Sequence, residues 1–171
     1  MKRQKRDNLI LLAMAALVVL VDQISKHFVM TRLEEGQSWD IVSWLTPFMR
    51  ITHVTNTGAA FGLFPKFGDF FIGVAIIVIV AIIIYQRYLP GGQWLVRAAL
   101  GLQLGGAIGN LVDRLRWESV VDFMDLNFWP LRQWPVFNVA DASIVAGASL
   151  LAILMLWEER RERNERQTVE C

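Results

Sequence analysis

Four long and largely uncharged stretches divide this chain, and they restrict its fold more than any other feature. They cover roughly residues 9–30, 68–88, 94–113 and 138–157. A helix rises about 1.5 Å per residue, so about 20 residues are needed to cross a hydrocarbon core of ~30 Å. Apolar residues make up 54% of the chain and charged residues only 19%, whereas a soluble domain has about 25% charged residues. The pattern predicts four transmembrane helices.

Other features of the composition exclude several classes of protein. The net charge of +1 gives no sign of nucleic-acid binding, and the single cysteine, Cys171, cannot form an internal disulfide. A basic segment precedes the first span, as in a cleavable signal peptide, but Asp22 and Lys26 stand where small cleavage-site residues would be expected. We therefore interpret this span as a retained anchor and the whole chain, residues 1–171, as one domain.

The distribution of Lys and Arg predicts the orientation. Ten of these residues lie in the two terminal segments and around the connection between spans two and three, whereas six lie in the other two loops, which are nearly twice as long in total. Because short cytoplasmic loops are enriched in Lys and Arg, we expect both termini to be cytoplasmic. The loops of about residues 31–67 and 114–137 should then face outward.

In this orientation, polar side chains from three spans lie at one depth near the outer surface. They are Asp22, Ser25 and Lys26 near the outer end of span one, Asn110, Asp113 and Arg114 near the outer end of span three, and Asn138 and Asp141 near the outer end of span four. Charged groups inside a bilayer cost several kcal/mol, so they should face the bundle interior or a wet cavity. Any single pair could be a structural salt bridge or a headgroup anchor. Their convergence at one depth indicates a functional site.

The outer loops carry strand-like and turn-like patterns. Aromatic and β-branched residues over 39–42 and 48–54 predict short strands, and the small residues of 56–62 predict a turn that a ligand can approach closely. The aromatic, proline-rich segment 129–135 is typical of interfacial anchoring and could alternatively form a lid. In a strand over 120–125, Asp122 and Asp125 would point to opposite faces.

The carboxylates suggest a hydrolytic site. No His or Cys group has metal-ligand spacing, and neither His-Glu-x-x-His nor Gly-x-Ser-x-Gly occurs. Two nearby aspartates in an apolar setting can share one proton and hydrolyse an amide as a general acid and a general base. Composition leaves four candidates, Asp22, Asp113, Asp122 and Asp141. The competing hypothesis is a small proton-coupled transporter in which the same carboxylates relay protons.

Five segments resemble the lipoprotein signal peptidases (signal peptidase II), in the order of that family and over nearly the whole chain. They are Asp22-Gln-Ile-Ser-Lys26, Asn56-Thr-Gly-Ala-Ala-Phe61, Gly105-Gly-Ala-Ile-Gly-Asn110-Leu-Val-Asp113-Arg114, Val120-Val-Asp-Phe123 and Phe137-Asn-Val-Ala-Asp141. The resemblance implies an all-α membrane protein with four transmembrane helices, a small extracytoplasmic β-cradle and a short surface helix.

The resemblance also implies an activity. It is that of an aspartic endopeptidase of the bacterial cytoplasmic membrane, which cuts prolipoproteins just before a diacylglyceryl-modified cysteine, with its active site near the extracytoplasmic face. The implied partners are this lipid-modified substrate and membrane lipid, with no nucleic acid and no obligate protein partner. An aspartyl mechanism requires neither a metal nor another cofactor.

The resemblance assigns roles to ten residues. The catalytic pair would be Asp122 and Asp141. The residues that surround and orient this pair would be Asn110, Asp113, Arg114 and Asn138. Asp22 and Lys26 would tie span one into the site, and Asn56 with Gly58 would line the substrate groove.

Overall fold

Four long helices dominate the computed structural model, which describes residues 2–58 and 68–169. They are α1 (Lys2–Arg32), α2 (Gly68–Tyr88), α3 (Trp94–Trp117) and α4 (Val139–Val169). Each contains a segment long and apolar enough to cross a bilayer, namely Arg6–Arg32, Gly68–Tyr88, Trp94–Trp117 and Val139–Glu165. The four predicted spans coincide with these helices apart from their ends.

The C-terminal end of α3 differs from the prediction. Residues 114–117 were expected in the second outer loop, but they form the last turn of α3. The helix stops at Glu118, which has a left-handed backbone (φ 55) and donates its N–H to the Arg114 carbonyl. Arg114 and Arg116 can occupy this turn because cations interact favourably with a helix C-terminus. Arg114 is therefore held on a helix.

Helix α3 is the centre of the bundle and contacts the other three helices. A Cβ atom at Gly101 would lie 2.7 Å from the Leu11 carbonyl oxygen, and one at Gly105 would lie 2.7 Å from the Ala15 carbonyl oxygen. Glycine at these positions lets the α1 and α3 backbones come into direct contact, as small residues do in membrane helix pairs. Gly106 stands in the same relation to α4. Helices α1 and α4 are thus both held close to α3.

A buried polar cluster joins the start of α1 to the α2–α3 connection. Arg97 is one of the ten Lys and Arg residues from which the orientation was predicted. In the structure it lies in the first turn of α3 and is fully buried. It donates to the carbonyl oxygens of Leu89 (2.8 Å) and Pro90 (2.9 Å) and to Asn8 Oδ1 (3.1 Å). Asp7 lies 3.7 Å from its guanidinium and accepts the Gly92 N–H. This cluster satisfies the carbonyls of the two residues that follow α2.

A small antiparallel sheet covers the opposite end of the bundle. Its strands, in spatial order, are β1 (Ser38–Trp39), β2 (Met49–Asn56) and β3 (Val120–Leu126). The strand predicted over 39–42 was too long, because residues 41–48 form bends and turns. The strand predicted over 48–54 runs from Met49 to Asn56, so Asn56 ends a strand and its side chain also opens the expected turn by accepting the Gly58 N–H.

The register of the sheet places Asn56 close to Asp122. Ile51 pairs with Met124 and Val54 with Asp122, so β2 carries one extra residue between these pairs. This β-bulge changes which β2 side chains lie on the same face of the sheet as Asp122. Beyond it Asn56 lies opposite Val120, diagonally across from Asp122.

The remaining parts of the outer loops bear on two expectations. The second loop contains a 3₁₀ turn over Leu131–Gln133. The resemblance implies a short surface helix. Within residues 2–58 and 68–169, this 3₁₀ turn is the only helical element besides α1–α4. Most of the small-residue turn, from Ala59 onward, lies outside the described residues.

Candidate active site

A cavity of about 660 Å³ opens between α3, α4, β3 and the second outer loop. One part of its wall is polar and contains Asn56, Gly58, Asn110, Arg114, Asp122 and Asp141. The rest of the lining is almost entirely apolar and includes Leu126, Phe137, Ala142, Val145 and Ala146. Pockets of this composition, apolar with a few convergent polar groups, are typical ligand sites.

Asp122 extends from β3 into this cavity and is only 3% exposed. Its Oδ1 accepts a hydrogen bond from Asn138 Nδ2 (2.7 Å) and its Oδ2 accepts one from Asn56 Nδ2 (3.0 Å). Burial, followed by the negative charge of Asp141, raises the pKa of Asp122 to about 7. The two amide hydrogen bonds and the charge of Lys26 oppose this rise. Asp122 is thus a carboxyl group that titrates near neutral pH.

Asp141 is fixed by the way α4 begins. Asn138 is the N-cap, and its Oδ1 accepts the N–H of Asp141 (2.9 Å). In return Asp141 Oδ2 accepts the N–H of Asn138 (3.3 Å), which completes a reciprocal capping box. Because the Asn138 amide also donates to Asp122, one buried asparagine contacts both aspartates.

Lys26 is a buried hub, 1% exposed, that connects α1 to the site. Its Nζ contacts Asp22 Oδ2 (2.9 Å), Asp113 Oδ2 (2.8 Å) and Asn110 Oδ1 (2.9 Å). An ammonium group has three N–H donors, so all of them are used. Asn110 in turn donates from Nδ2 to Asp141 Oδ1 (2.7 Å). The Asn110 amide therefore links the lysine to Asp141.

The two carboxylates around Lys26 each hold the backbone beside one cavity aspartate. Asp22 Oδ1 accepts the N–H of Ala140 (2.9 Å), the residue before Asp141. Asp113 Oδ2 accepts the N–H of Val121 (3.3 Å), the residue before Asp122. The cluster on α1 and α3 thus positions the backbone of both β3 and α4.

Arg114 and Gly58 complete the polar wall. Arg114 Nη1 lies 3.4 Å from the Asn110 carbonyl oxygen, and its guanidinium stands 5.5 Å from the centre of the Phe71 ring. Gly58 donates its N–H to Asn56 Oδ1 (3.0 Å), which forms an Asx turn and fixes the orientation of the Asn56 amide toward Asp122.

The structure brings all ten residues predicted from the sequence into this one region. They are Asp22, Lys26, Asn56, Gly58, Asn110, Asp113, Arg114, Asp122, Asn138 and Asp141. Asp125 is separate, since it accepts from Arg50 Nε (2.9 Å) and Thr52 Oγ1 (2.8 Å). In the segment 129–135, Trp129 is 88% exposed, whereas Trp134 lines the cavity.

Sequence reasoning missed two residues of the cluster. Gln23 Nε2 donates to Asp113 Oδ1 (2.8 Å), and a Cβ at Gly109 would lie 2.6 Å from Asp22 Oδ2. Gln23 is neutral and adjacent to Asp22, and adjacent helical residues point in different directions. Gly109 belongs to a run of small residues whose simplest explanation is helix packing. The pairing of Gln23 with Asp113 could not be read from either segment alone.

Comparisons with known proteins agree with this geometry. The sequence model of a family described as signal peptidase (SPase) II matches residues 14–157. A lipoprotein signal peptidase of Moorella thermoacetica is 43% identical over 154 residues, which cover 88% of this chain and 97% of the relative. A lipoprotein signal peptidase of Desulfitobacterium hafniense is 44% identical over 147 residues, which cover 86% of this chain and 93% of the relative.

Solved structures show the same fold. A bacterial membrane enzyme determined by the in meso method at 2.3 Å resolution superposes with a TM-score of 0.79 at 30% identity, covering 87% of this chain and 88% of that one. A second, at 1.9 Å resolution, gives a TM-score of 0.75 at 31% identity, with coverages of 85% and 92%. With most of its length matched in sequence and in fold, this chain belongs to the signal peptidase II family.

Proposed function

We propose that this protein removes signal peptides from bacterial prolipoproteins by cutting just before the diacylglyceryl-modified cysteine, with Asp122 and Asp141 as the catalytic pair. The observation that carries the proposal is the placement of two aspartates from separate elements at the polar wall of an otherwise apolar cavity, both bonded to Asn138. The relatives named above are lipoprotein signal peptidases. This membership does not favour the proton-coupled transporter.

The chemistry follows from one proton shared by the pair. The ionised aspartate takes a proton from water, and the water oxygen attacks the scissile carbonyl carbon. The protonated aspartate donates to the carbonyl oxygen, and collapse of the tetrahedral intermediate breaks the C–N bond as the amine nitrogen takes up a proton. A pKa of about 7 for Asp122 supports the presence of a proton on the pair near neutral pH.

The apolar wall of the cavity suits a lipid-modified substrate. Ala142, Val145 and Ala146 of α4 line it, and Val145 is 61% exposed on the helix surface. The cavity is therefore continuous with the apolar exterior of the bundle. A substrate anchored by acyl chains can enter sideways from the membrane, while the polar wall stays close to water.

We further propose that the chain acts as a single domain in the cytoplasmic membrane, with both termini cytoplasmic and the sheet on the extracytoplasmic side. The excess of Lys and Arg near the termini supports this orientation. The test is labelling by a membrane-impermeant maleimide in intact cells. Asp40→Cys in the first outer loop should react, whereas Cys171 should react only after permeabilisation. The opposite labelling pattern would reverse the proposed topology.

The catalytic pair is tested with purified protein and a lipid-modified prolipoprotein. Asp122→Asn and Asp141→Asn should each abolish cleavage while the protein still elutes as a folded species. Asp40→Asn, a matched exchange at an exposed position, should cleave normally. Cleavage retained by both dyad variants would overturn the assignment. An unmodified substrate run in parallel shows whether the lipid is required.

A further inference from the structure

Gln23 makes contacts that none of the roles described so far accounts for. Its Nε2 donates to Asp113 Oδ1 at 2.8 Å and lies 3.3 Å from both Asp22 Oδ2 and the Gly109 carbonyl oxygen. It is thus the only amide among the described residues that contacts both carboxylates of the Lys26 cluster.

We propose that Gln23 is a positioning residue for the peptidase reaction, which holds Asp113 in the orientation that fixes Val121 and, through it, Asp122. The inference rests on the proposed role of Asp122 and Asp141. Gln23 does not line the cavity, so it would act on the reaction only through Asp113.

Few hydrogen-bond donors surround Asp22 and Asp113. Two buried carboxylates surround one ammonium group, and all three N–H donors of Lys26 are already used. Lys26 and the Val121 N–H both bind Asp113 Oδ2, so within residues 2–58 and 68–169 the hydrogen bond to Asp113 Oδ1 comes from Gln23. A buried carboxylate oxygen left without a donor is costly. Without Gln23, Asp113 would rotate to recover a partner.

A short path connects Asp113 to the reacting group. Asp113 Oδ2 accepts the N–H of Val121 at 3.3 Å, and the next residue is Asp122. Rotation of Asp113 would break its hydrogen bond with the Val121 N–H, which holds β3 in place. The hydrogen bonds that Asp122 receives from Asn138 (2.7 Å) and Asn56 (3.0 Å) would then be disturbed. Asp122 would be displaced, while the apolar cavity wall on α4 would keep its shape.

The side-chain chemistry required at position 23 is that of a neutral donor. Glutamate has the same shape as glutamine, but its oxygens accept hydrogen bonds and cannot donate when ionised. At position 23 it would add a third carboxylate beside Asp22 and Asp113, the two that already contact the ammonium group of Lys26. An amide donor is the group that satisfies Asp113 without changing the charge of the cluster.

The test compares Gln23→Met, which keeps the length of the side chain but removes the donor, with Ile24→Met as a matched control on the exposed face of the same helix. Steady-state cleavage of a lipid-modified prolipoprotein gives kcat and KM at several pH values. We expect Gln23→Met to lower kcat about tenfold or more with KM unchanged. Ile24→Met should behave as the native protein.

The pH profile separates positioning from a loss of folded protein. The hydrogen bonds from Asn56 and Asn138 lower the pKa of Asp122, so weakening them should move the alkaline limit of activity to higher pH. A decrease in the amount of folded protein would lower the apparent kcat by the same factor at every pH and would leave this limit unchanged. If Gln23→Met does not fold, Gln23→Leu, which also lacks a donor and leaves the charge of the cluster unchanged, serves with the same readouts.

The outcomes distinguish this inference from the proposed function. If Asp122→Asn and Asp141→Asn are inactive and the Gln23 variant shows both the lower kcat and the shifted limit, the inference holds. If the two aspartate variants are inactive but the Gln23 variant keeps the native kcat or the native pH limit, the inference is wrong and the catalytic pair stands. Cleavage by both aspartate variants would overturn the proposed function itself.

Discussion

Replacing Asp122 by asparagine should stabilise the protein at alkaline pH, because the native carboxyl group is held in an unfavourable place. Burial and the charge of Asp141 raise its pKa from 3.8 to about 7 in the folded protein. Since the folded pKa lies above the unfolded one, the folded state keeps a proton between about pH 4 and pH 7 that the unfolded state has lost. The native protein therefore loses stability as the pH rises through this window and changes little above it.

The size of the effect follows from the width of this window. Each pH unit corresponds to about 1.4 kcal/mol, so the interval from 3.8 to about 7 corresponds to about 4 kcal/mol. Asparagine does not titrate. The free energy of unfolding of Asp122→Asn, relative to that of the native protein, should therefore rise by this amount between pH 4 and pH 8. For a chain of this length the gain is on the order of 10 °C in Tm.

Thermal unfolding in detergent, followed by tryptophan fluorescence from pH 4 to pH 8, measures the difference directly. The difference in Tm between Asp122→Asn and the native protein should grow with pH and level off above about pH 7. Asp40→Asn, an exchange at an exposed aspartate, should show a constant difference. A difference for Asp122→Asn that is the same at pH 4 and pH 8 would refute the proposed burial and charge coupling of Asp122.

Three further substitutions test other parts of the site. Asn56→Ala removes one hydrogen bond to Asp122 and should move the alkaline limit of cleavage up by about one pH unit; Thr57→Ala should not, and equal profiles would contradict the role of Asn56. Gly109→Ala places a methyl group 2.6 Å from Asp22 Oδ2 and should cost about 1–3 kcal/mol of stability together with much of the cleavage rate. Gly73→Ala, with no atom within 4 Å, is its control, and equal Tm values for the two variants would be inconsistent with the close contact. Ala146→Leu narrows the apolar wall of the cavity and should raise KM with little change in kcat, so an unchanged KM would place the substrate elsewhere.

Much of the fold could be predicted because it depends on local composition. In a bilayer, every backbone polar group must be bonded within its own segment, so a long apolar stretch has helix as its available structure. The predictions were less accurate at the ends of these elements. Residues 114–117 continue α3, and residues 41–48 turn where their aromatic and β-branched composition favoured a strand. Capping and packing against other elements set such ends, and neither is visible in a short window of sequence.

The candidate site was predictable to a similar extent. Charged residues in apolar spans identified Asp22 and Lys26, and the family resemblance supplied the roles of Asp122 and Asp141. Gln23 and Gly109 could not be recognised, because a neutral amide and a small residue gain their importance only from what lies opposite them. The close contact of Gly109 with Asp22 joins two helices that are far apart in the chain.

The sequence by itself determined that this chain has four segments able to cross a membrane, and which polar residues lie near the ends of three of them. Each of these properties depends on residues within one helix or one turn. Only the tertiary structure decided the partners: Asp22 accepts the N–H of Ala140 across 118 residues of sequence, and Lys26 meets Asn110 across 84. The physical reason is that a buried charge must be balanced by whatever donors and acceptors the packed helices bring within about 3 Å. Those partners exist only once α1, α3 and α4 are assembled.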